Sequence, residues 1–120
     1  MATRSQPVPA VTDADVDRIV RRDFLPAAVP DAFAALAGYG TQPWHGEVDR
    51  VRLAALKLAA GNLERLRTQI AAASTDFRDV LAAAEYPVFF RTVAPGQEGV
   101  VDTGAAIDAD WLQYRAWLRR

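Results

Sequence analysis

The chain has 120 residues, of which 51% are hydrophobic and 24% charged, and its formal net charge is -1. This length predicts one domain, and the even spread of both charge signs argues against a concentrated basic surface for nucleic acid. The absence of cysteine excludes disulfides, thiolate catalysis and cysteine-ligated metal.

Residues 1–11 are predicted to form an extended or disordered tail, because Pro7 and Pro9 remove backbone donors and block entry into a helix. No apolar run of signal-peptide type occurs in this tail, and none in the chain is long enough for a transmembrane helix. We therefore expect a cytoplasmic protein with no membrane partner, in which residues 12–120 form a single helical domain.

Two helices are predicted in the first third of the chain. The first begins at Thr12 or Asp13 and ends near Phe24, with aspartates in its first turn and arginines in its last. This charge order is the one that the helix dipole favours. A short second helix is expected over about residues 30–37, and a loop over residues 39–46 holds two aromatic residues and the only histidine.

The centre of the sequence, from Val48 to Tyr86, has the apolar periodicity of amphipathic helices. A first helix is predicted from about residue 48 to residue 60, and it is apolar enough to be covered on more than one side. Asn62 can cap the next helix, which breaks at residues 74–75. A third helix follows from residue 77 and ends at Tyr86, just before a proline.

After residue 87 the pattern is less regular. Residues 88–93 fit either a strand or a short helical turn, and a strand could pair with residues 100–101 as a minor hairpin. Asp108 or Asp110 is predicted to cap a closing helix, which either closes the core or offers a partner surface. Its aromatic residues are Trp111, Tyr114 and Trp117. The predicted fold is all-α, a compact bundle of about five to six helices with a minor hairpin or irregular segment at 88–102.

Arg52 is the first candidate for a functional residue, because it lies within the apolar arc of the central helix. A buried guanidinium must be paired and hydrogen-bonded, since an isolated buried charge is costly. Its partner is expected to be a carboxylate of the 76–86 helix, where Asp76, Asp79 and Glu85 are available. The alternative is that Arg52 faces a pocket and binds an anionic ligand.

Further candidate ligand-binding residues form two groups. Trp44 and His45 lie in the aromatic loop, where a histidine is either structural or a general base. One histidine does not make a histidine-rich metal site, and we predict neither a metal nor a cofactor. The second group is the charged cluster on the 76–86 helix, which is a solvated face unless a cleft perturbs its carboxylates. Its members are Arg78, Asp79, Glu85 and Tyr86.

The central region resembles a known family in four short stretches, which are Val51–Leu58, Gly61–Leu66, Asp76–Leu81 and Ala84–Pro87. Over residues 51–87 the sequence resembles a family of small, uncharacterised bacterial all-α proteins. The resemblance implies a bacterial origin and a compact helical unit. It implies no activity, ligand or catalytic residue.

These observations favour a non-catalytic helical domain for protein interaction or structure, which associates with itself or with another protein. They argue against an enzyme and against a nucleic-acid partner. The alternative function is a domain that binds a small anionic ligand, or a minor enzyme, using Arg52 with the carboxylates of the 76–86 helix.

Overall fold

The computed structural model describes residues 7–92 and 103–120. Within these two ranges the chain forms six α-helices and one 3-10 turn, Pro26–Ala28, with no strand. The helices are α1 (Asp13–Asp23), α2 (Val29–Leu36), α3 (Val48–Ala59), α4 (Leu63–Glu85), α5 (Pro87–Thr92) and α6 (Thr103–Arg119). The prediction of an all-α bundle is therefore confirmed.

The predicted N-terminal tail falls partly outside the described residues, which begin at Pro7. Residues 7–12 have no regular secondary structure, and the side chain of Pro9 is buried. The hydroxyl of Tyr86, at the end of α4, donates a hydrogen bond to the carbonyl of Pro7. The described part of this segment is thus held against the helices.

The core is built around α3, which packs along α4 and α1. Most of the apolar side of this helix is shielded from solvent, although Leu58 is only partly buried. Its buried members are Val51, Leu53, Ala54, Ala55, Leu56 and Ala59. A helix apolar on more than one side is covered from more than one side, as the sequence predicts. Ile19 and Val20 of α1 and Leu66 of α4 complete this central layer with no exposed area.

The two helices predicted between residues 62 and 86 are the two halves of α4, which is kinked at Asp76. Asp76 has φ -152° and ψ 101°, outside the helical region. Its Oδ1 accepts the backbone N–H of Arg78 at 3.0 Å, so it caps the second half of the helix. Ser74 Oγ donates to the carbonyl of Ile70 at 3.1 Å, an arrangement that bends helices. The break predicted at residues 74–75 thus lies one residue further on.

The C-terminal region differs most from the prediction. Residues 88–92 belong to α5, so the helical alternative holds for them, whereas residues 93–102, with the proposed partner strand, lie outside the described residues. α6 begins at Thr103, and Asp110 lies in its middle with no exposed area. The prediction that Asp108 or Asp110 caps α6 is therefore wrong.

Asp110 caps a different helix. Its two carboxylate oxygens accept the backbone N–H groups of Val88 at 3.1 Å and Phe89 at 2.8 Å. The first N–H groups of a helix have no partner within it, so these two donors of α5 need an acceptor from elsewhere in the fold. Asp110 supplies that acceptor and attaches α5 to α6.

Candidate functional site

A buried ion pair joins Arg50 of α3 to Glu85 at the end of α4. Arg50 Nε donates to Oε2 at 2.7 Å and Nη2 donates to Oε1 at 2.6 Å. The side chain of Glu85 is 2% exposed and that of Arg50 18%. The hydrogen bonds that Arg50 donates to Glu85 raise the pKa of Arg50, although burial acts in the opposite direction. The ion pair with a carboxylate of the 76–86 helix, which was predicted for Arg52, is thus formed by Arg50 instead.

Two tyrosines lie within electrostatic range of this pair. Burial raises the pKa of Tyr86 to about 12, and the negative charge of Glu85 adds to the effect. Burial also raises the pKa of Tyr114, whose hydroxyl has no hydrogen-bond partner among the described residues. Both phenols keep their protons at neutral pH, and both oxygens of Glu85 accept hydrogen bonds from Arg50, so this group of residues joins α3 to the end of α4.

Arg52 points in another direction and binds a backbone carbonyl. Its Nε and Nη2 donate to the carbonyl oxygen of Tyr39 at 3.2 and 2.7 Å. The half-buried side chain also lines a cavity of about 560 Å³ with the carboxylates of Asp13, Asp17 and Asp49. The predicted carboxylate partner for Arg52 is wrong. The pocket alternative fits its position, but the aspartates that line the same cavity disfavour an anion there, although Asp17 is paired with Arg21.

The charged cluster predicted on the 76–86 helix does not converge on one site. Arg78 pairs with Asp76 in the same turn, with Nε 3.1 Å from Oδ1, and both side chains face solvent. Asp79 is exposed. Glu85, two turns away from Arg78, is closed into the buried pair. The structure therefore gives these carboxylates no common cleft.

The loop over residues 39–46 is organised by His45. Its Nδ1 accepts the backbone N–H groups of Gly40 at 2.9 Å, Thr41 at 3.2 Å and Gln42 at 3.3 Å. Its ring stacks on Tyr39 with the centroids 4.4 Å apart. His45 thus has a structural role in this loop.

Trp44 is the exposed residue of the same loop. Its side chain is 67% exposed, and its ring meets His45 edge-on at 5.7 Å between centroids. The loop base is closed by Tyr39, whose hydroxyl donates to the carbonyl of Gly46 at 2.7 Å. The loop therefore holds a large aromatic side chain in solvent on a hydrogen-bonded backbone.

A second cavity, of about 660 Å³, lies where the ends of α1, α3 and α6 meet. Lys57, the only lysine of the chain, lines it together with Trp117 and Arg120. Burial lowers the pKa of Lys57, the negative charge of Asp110 opposes this effect, and the positive charge of Arg120 adds to it. Neither Lys57 nor Arg120 is among the ligand-binding residues predicted from the sequence.

Two residues that were not predicted as site residues, Arg50 and Lys57, lie two turns apart on the polar strip of α3. In the structure this strip borders the end of α4 and helix α6, so its charges are partly buried. One property of the sequence indicates that this strip is covered. The C-terminal helix, α6, is rich in large aromatic residues, and such a helix packs against another surface.

Comparison with known proteins found no matching family model, no similar curated protein and no similar solved structure. Within residues 7–92 and 103–120, no three histidine, aspartate or glutamate side chains are grouped as metal ligands would be. No described helix is long and apolar enough to cross a bilayer.

Proposed function

We propose that this protein is a non-catalytic helical domain that works by protein interaction, and that its partner is a second copy of the same chain. The observation that carries the proposal is the exposed Trp44 on the loop over residues 39–46. Tryptophan is the residue type most enriched at the energetic centre of protein interfaces.

The rigidity of the loop supports this role. A partner that binds a pre-ordered loop does not have to order it, so less of the contact energy is lost on binding. His45 supplies this order through the three backbone N–H groups that it accepts and through its contact with Trp44. The aromatic residues Tyr114 and Trp117 do not contribute, because they are buried in the monomer and close its core.

The apolar side of α3 no longer argues for a partner, since the monomer covers it. An enzyme or anion site built from Arg52 and the carboxylates of the 76–86 helix is also disfavoured, because these residues do not meet. A cytoplasmic location and a bacterial origin remain part of the proposal. The location rests on the sequence features described above and the origin on the resemblance over residues 51–87.

Sedimentation velocity over micromolar to millimolar concentrations tests the proposal. We expect the unmodified protein to form dimers as its concentration rises, and Trp44→Ala to weaken the dimer by about tenfold or more. Leu25→Ala is the matched control, because Leu25 is 78% exposed and lies outside the loop. A protein that stays monomeric at millimolar concentration would refute self-association, and equal effects of the two substitutions would refute the role of the loop.

The order of the loop can be tested separately. His45→Ala removes the acceptor of three N–H groups and leaves Trp44 in place, so we expect faster amide exchange at residues 40–42 and a weaker dimer. His45→Asn returns an oxygen acceptor near the position of Nδ1 and should recover part of both losses. If His45→Ala frees the loop without weakening the dimer, pre-ordering makes no contribution to binding.

A further inference from the structure

The α6 groove is the surface of α6 and the end of α4 on which the described N-terminal segment, residues 7–10, lies. Pro9 is buried, and Val8, Pro9 and Ala10 border a cavity of about 310 Å³ together with α6. The hydroxyl of Tyr86 donates to the carbonyl of Pro7. Prolines keep such a segment extended with its carbonyls free, and extended proline segments dock on aromatic surfaces. The α6 residues that line the cavity are Trp111, Tyr114, Arg115, Leu118 and Arg119.

The segment can leave the α6 groove without unfolding a helix. Among the residues that the structure describes, one hydrogen bond joins residues 7–11 to the helices, and it is the one from Tyr86. Thr12, which precedes α1, has its own hydrogen bond to Asp15 at 3.0 Å, so the start of α1 does not depend on the segment. Val8 is 60% exposed. A terminal segment with so few contacts opens at a small cost in free energy. Residues 7–10 are therefore an occupant that a better ligand can displace.

The segment matches the α6 groove incompletely in both shape and charge. It leaves the cavity of about 310 Å³ unfilled. Arg115 and Arg119 stand one turn apart in the wall, and neither forms an ion pair within 4.0 Å with an aspartate or glutamate of residues 7–92 or 103–120. The guanidinium of Arg115 lies over the ring of Trp111, 5.8 Å from its centroid. Residues 7–11 are uncharged, so they make no use of these two cations.

We propose that the α6 groove binds an extended, proline-containing segment of a partner protein, with acidic residues beside its prolines, and that residues 7–10 occupy the groove until this segment displaces them. Proline holds the partner segment extended before it binds, so little conformational entropy is lost. Its carboxylates meet Arg115 and Arg119, whose planar guanidinium groups favour bidentate contact with carboxylate. No residue of the loop over residues 39–46 lines this groove, so the site is independent of self-association through Trp44.

Two synthetic peptides test the site on the full-length protein. Both have the sequence of residues 7–12; the acidic peptide carries Val8→Glu and Ala10→Glu, and the basic peptide carries Val8→Lys and Ala10→Lys. Protein labelled with fluorotryptophan gives three fluorine NMR signals, from Trp44, Trp111 and Trp117. We expect the acidic peptide to shift the Trp111 signal saturably and to leave the Trp44 signal in place. The basic peptide should bind about tenfold more weakly or not at all, because Arg115 and Arg119 repel it.

Variants of the protein show whether the peptide displaces the segment. Pro9→Gly removes the buried ring and loosens the segment, so the acidic peptide should bind about threefold more tightly or better, because the groove is open in a larger fraction of molecules. Pro26→Gly, at an exposed proline of the 3-10 turn, is the matched control and should leave the affinity unchanged.

Arg115→Gln removes one of the two cations and should weaken the acidic peptide by about threefold, the value of one exposed ion pair. The proposal is overturned if the acidic peptide gives no saturable shift of the Trp111 signal or if the basic peptide binds equally well. It is also overturned if Pro9→Gly leaves the affinity unchanged, or if Pro26→Gly raises it as much.

Discussion

Arg50 and Arg52 show how two residues of the same type, on one helix, acquire different roles from their surroundings. Arg50 meets a carboxylate that is 2% exposed and forms two short hydrogen bonds with it. Arg52 meets a carbonyl and keeps part of its surface in solvent. Removing one partner of a buried pair leaves the other charge without compensation, which costs far more than the net value of the pair. We therefore expect loss of the Arg50 pair to destabilise the protein more than loss of the Arg52 contact.

Glu85→Gln tests this difference. Glutamine keeps the shape of the side chain but removes its charge, so Arg50 is left half-buried with a weaker acceptor, and we expect the free energy of unfolding to fall by about 3 kcal/mol. Urea unfolding followed by circular dichroism gives the measurement. The matched control is Glu64→Gln in the same helix. Glu64 also faces an arginine, with its Oε1 3.7 Å from Nη1 of Arg67, but its side chain is 86% exposed. Its effect should stay within about 0.5 kcal/mol, and an equal loss in both variants would contradict a special role for Glu85.

At the level of the helix, α5 depends on a residue of another helix. α5 has only six residues, which is too short for independent stability in water. Asp110 fixes its start by accepting the N–H groups of Val88 and Phe89, and the carboxylate itself is fully buried. We infer that α5 folds only when α6 is in place.

Asp110→Ala should therefore release α5. The substitution leaves two N–H groups without an acceptor, and we expect hydrogen exchange of the amides of Val88 and Phe89 to become much faster than in the unmodified protein. The free energy of unfolding should fall by about 1–3 kcal/mol. Asp110→Asn, which keeps one oxygen acceptor, should protect one of the two amides more than the other. Unchanged exchange at both amides in Asp110→Ala would show that other contacts hold α5.

The helices that the sequence predicted well are those whose end signals are local. Asn62 caps α4 through the N–H of Arg65, three residues away, and Thr12 donates its N–H to Asp15 across the same interval. Such contacts are set by backbone geometry within one turn. The acceptor of α5 is Asp110, more than twenty residues further along the chain, and no local pattern contains that information.

The candidate site was less predictable for a related reason. A helical wheel gives the direction of a side chain about its own helix axis and says nothing about which element covers that direction. Arg52 does lie toward the protein, as the wheel indicated, but the group in front of it is the carbonyl of Tyr39. Arg50 and Lys57 were not predicted as site residues, because their burial depends on the end of α4 and on α6, whose positions beside α3 are tertiary features.

At the level of the whole molecule, all three tyrosines are perturbed in the same direction. Burial raises the pKa of Tyr39 and of Tyr114, and it raises the pKa of Tyr86 to about 12. Tyr39 lies in the aromatic loop, Tyr114 in α6 and Tyr86 at the end of α4. The three phenols therefore report on the packing of separate parts of the fold, and their shared shift makes stability depend on alkaline pH.

We expect the free energy of unfolding to fall as the pH rises from about 10 toward 12. An unfolded tyrosine loses its proton near pH 10, whereas the folded chain keeps it until about pH 12 at Tyr86. The unfolded state then binds fewer protons, so deprotonation draws the equilibrium toward it. The lowered pKa of Lys57 acts in the opposite sense, but only below about pH 10.5, where the unfolded lysine still holds its proton.

Urea unfolding at several pH values above 10.5, with tyrosinate absorbance recorded in parallel, isolates the tyrosines. Tyr86→Phe should reduce the fall in stability across this range. Tyr114→Phe should reduce it too and, because the hydroxyl it removes is buried without a partner, should leave stability at neutral pH unchanged or higher. A free energy of unfolding that stays constant from pH 10 to pH 12, or tyrosinate that appears near pH 10 in the folded protein, would show that these phenols are open to solvent.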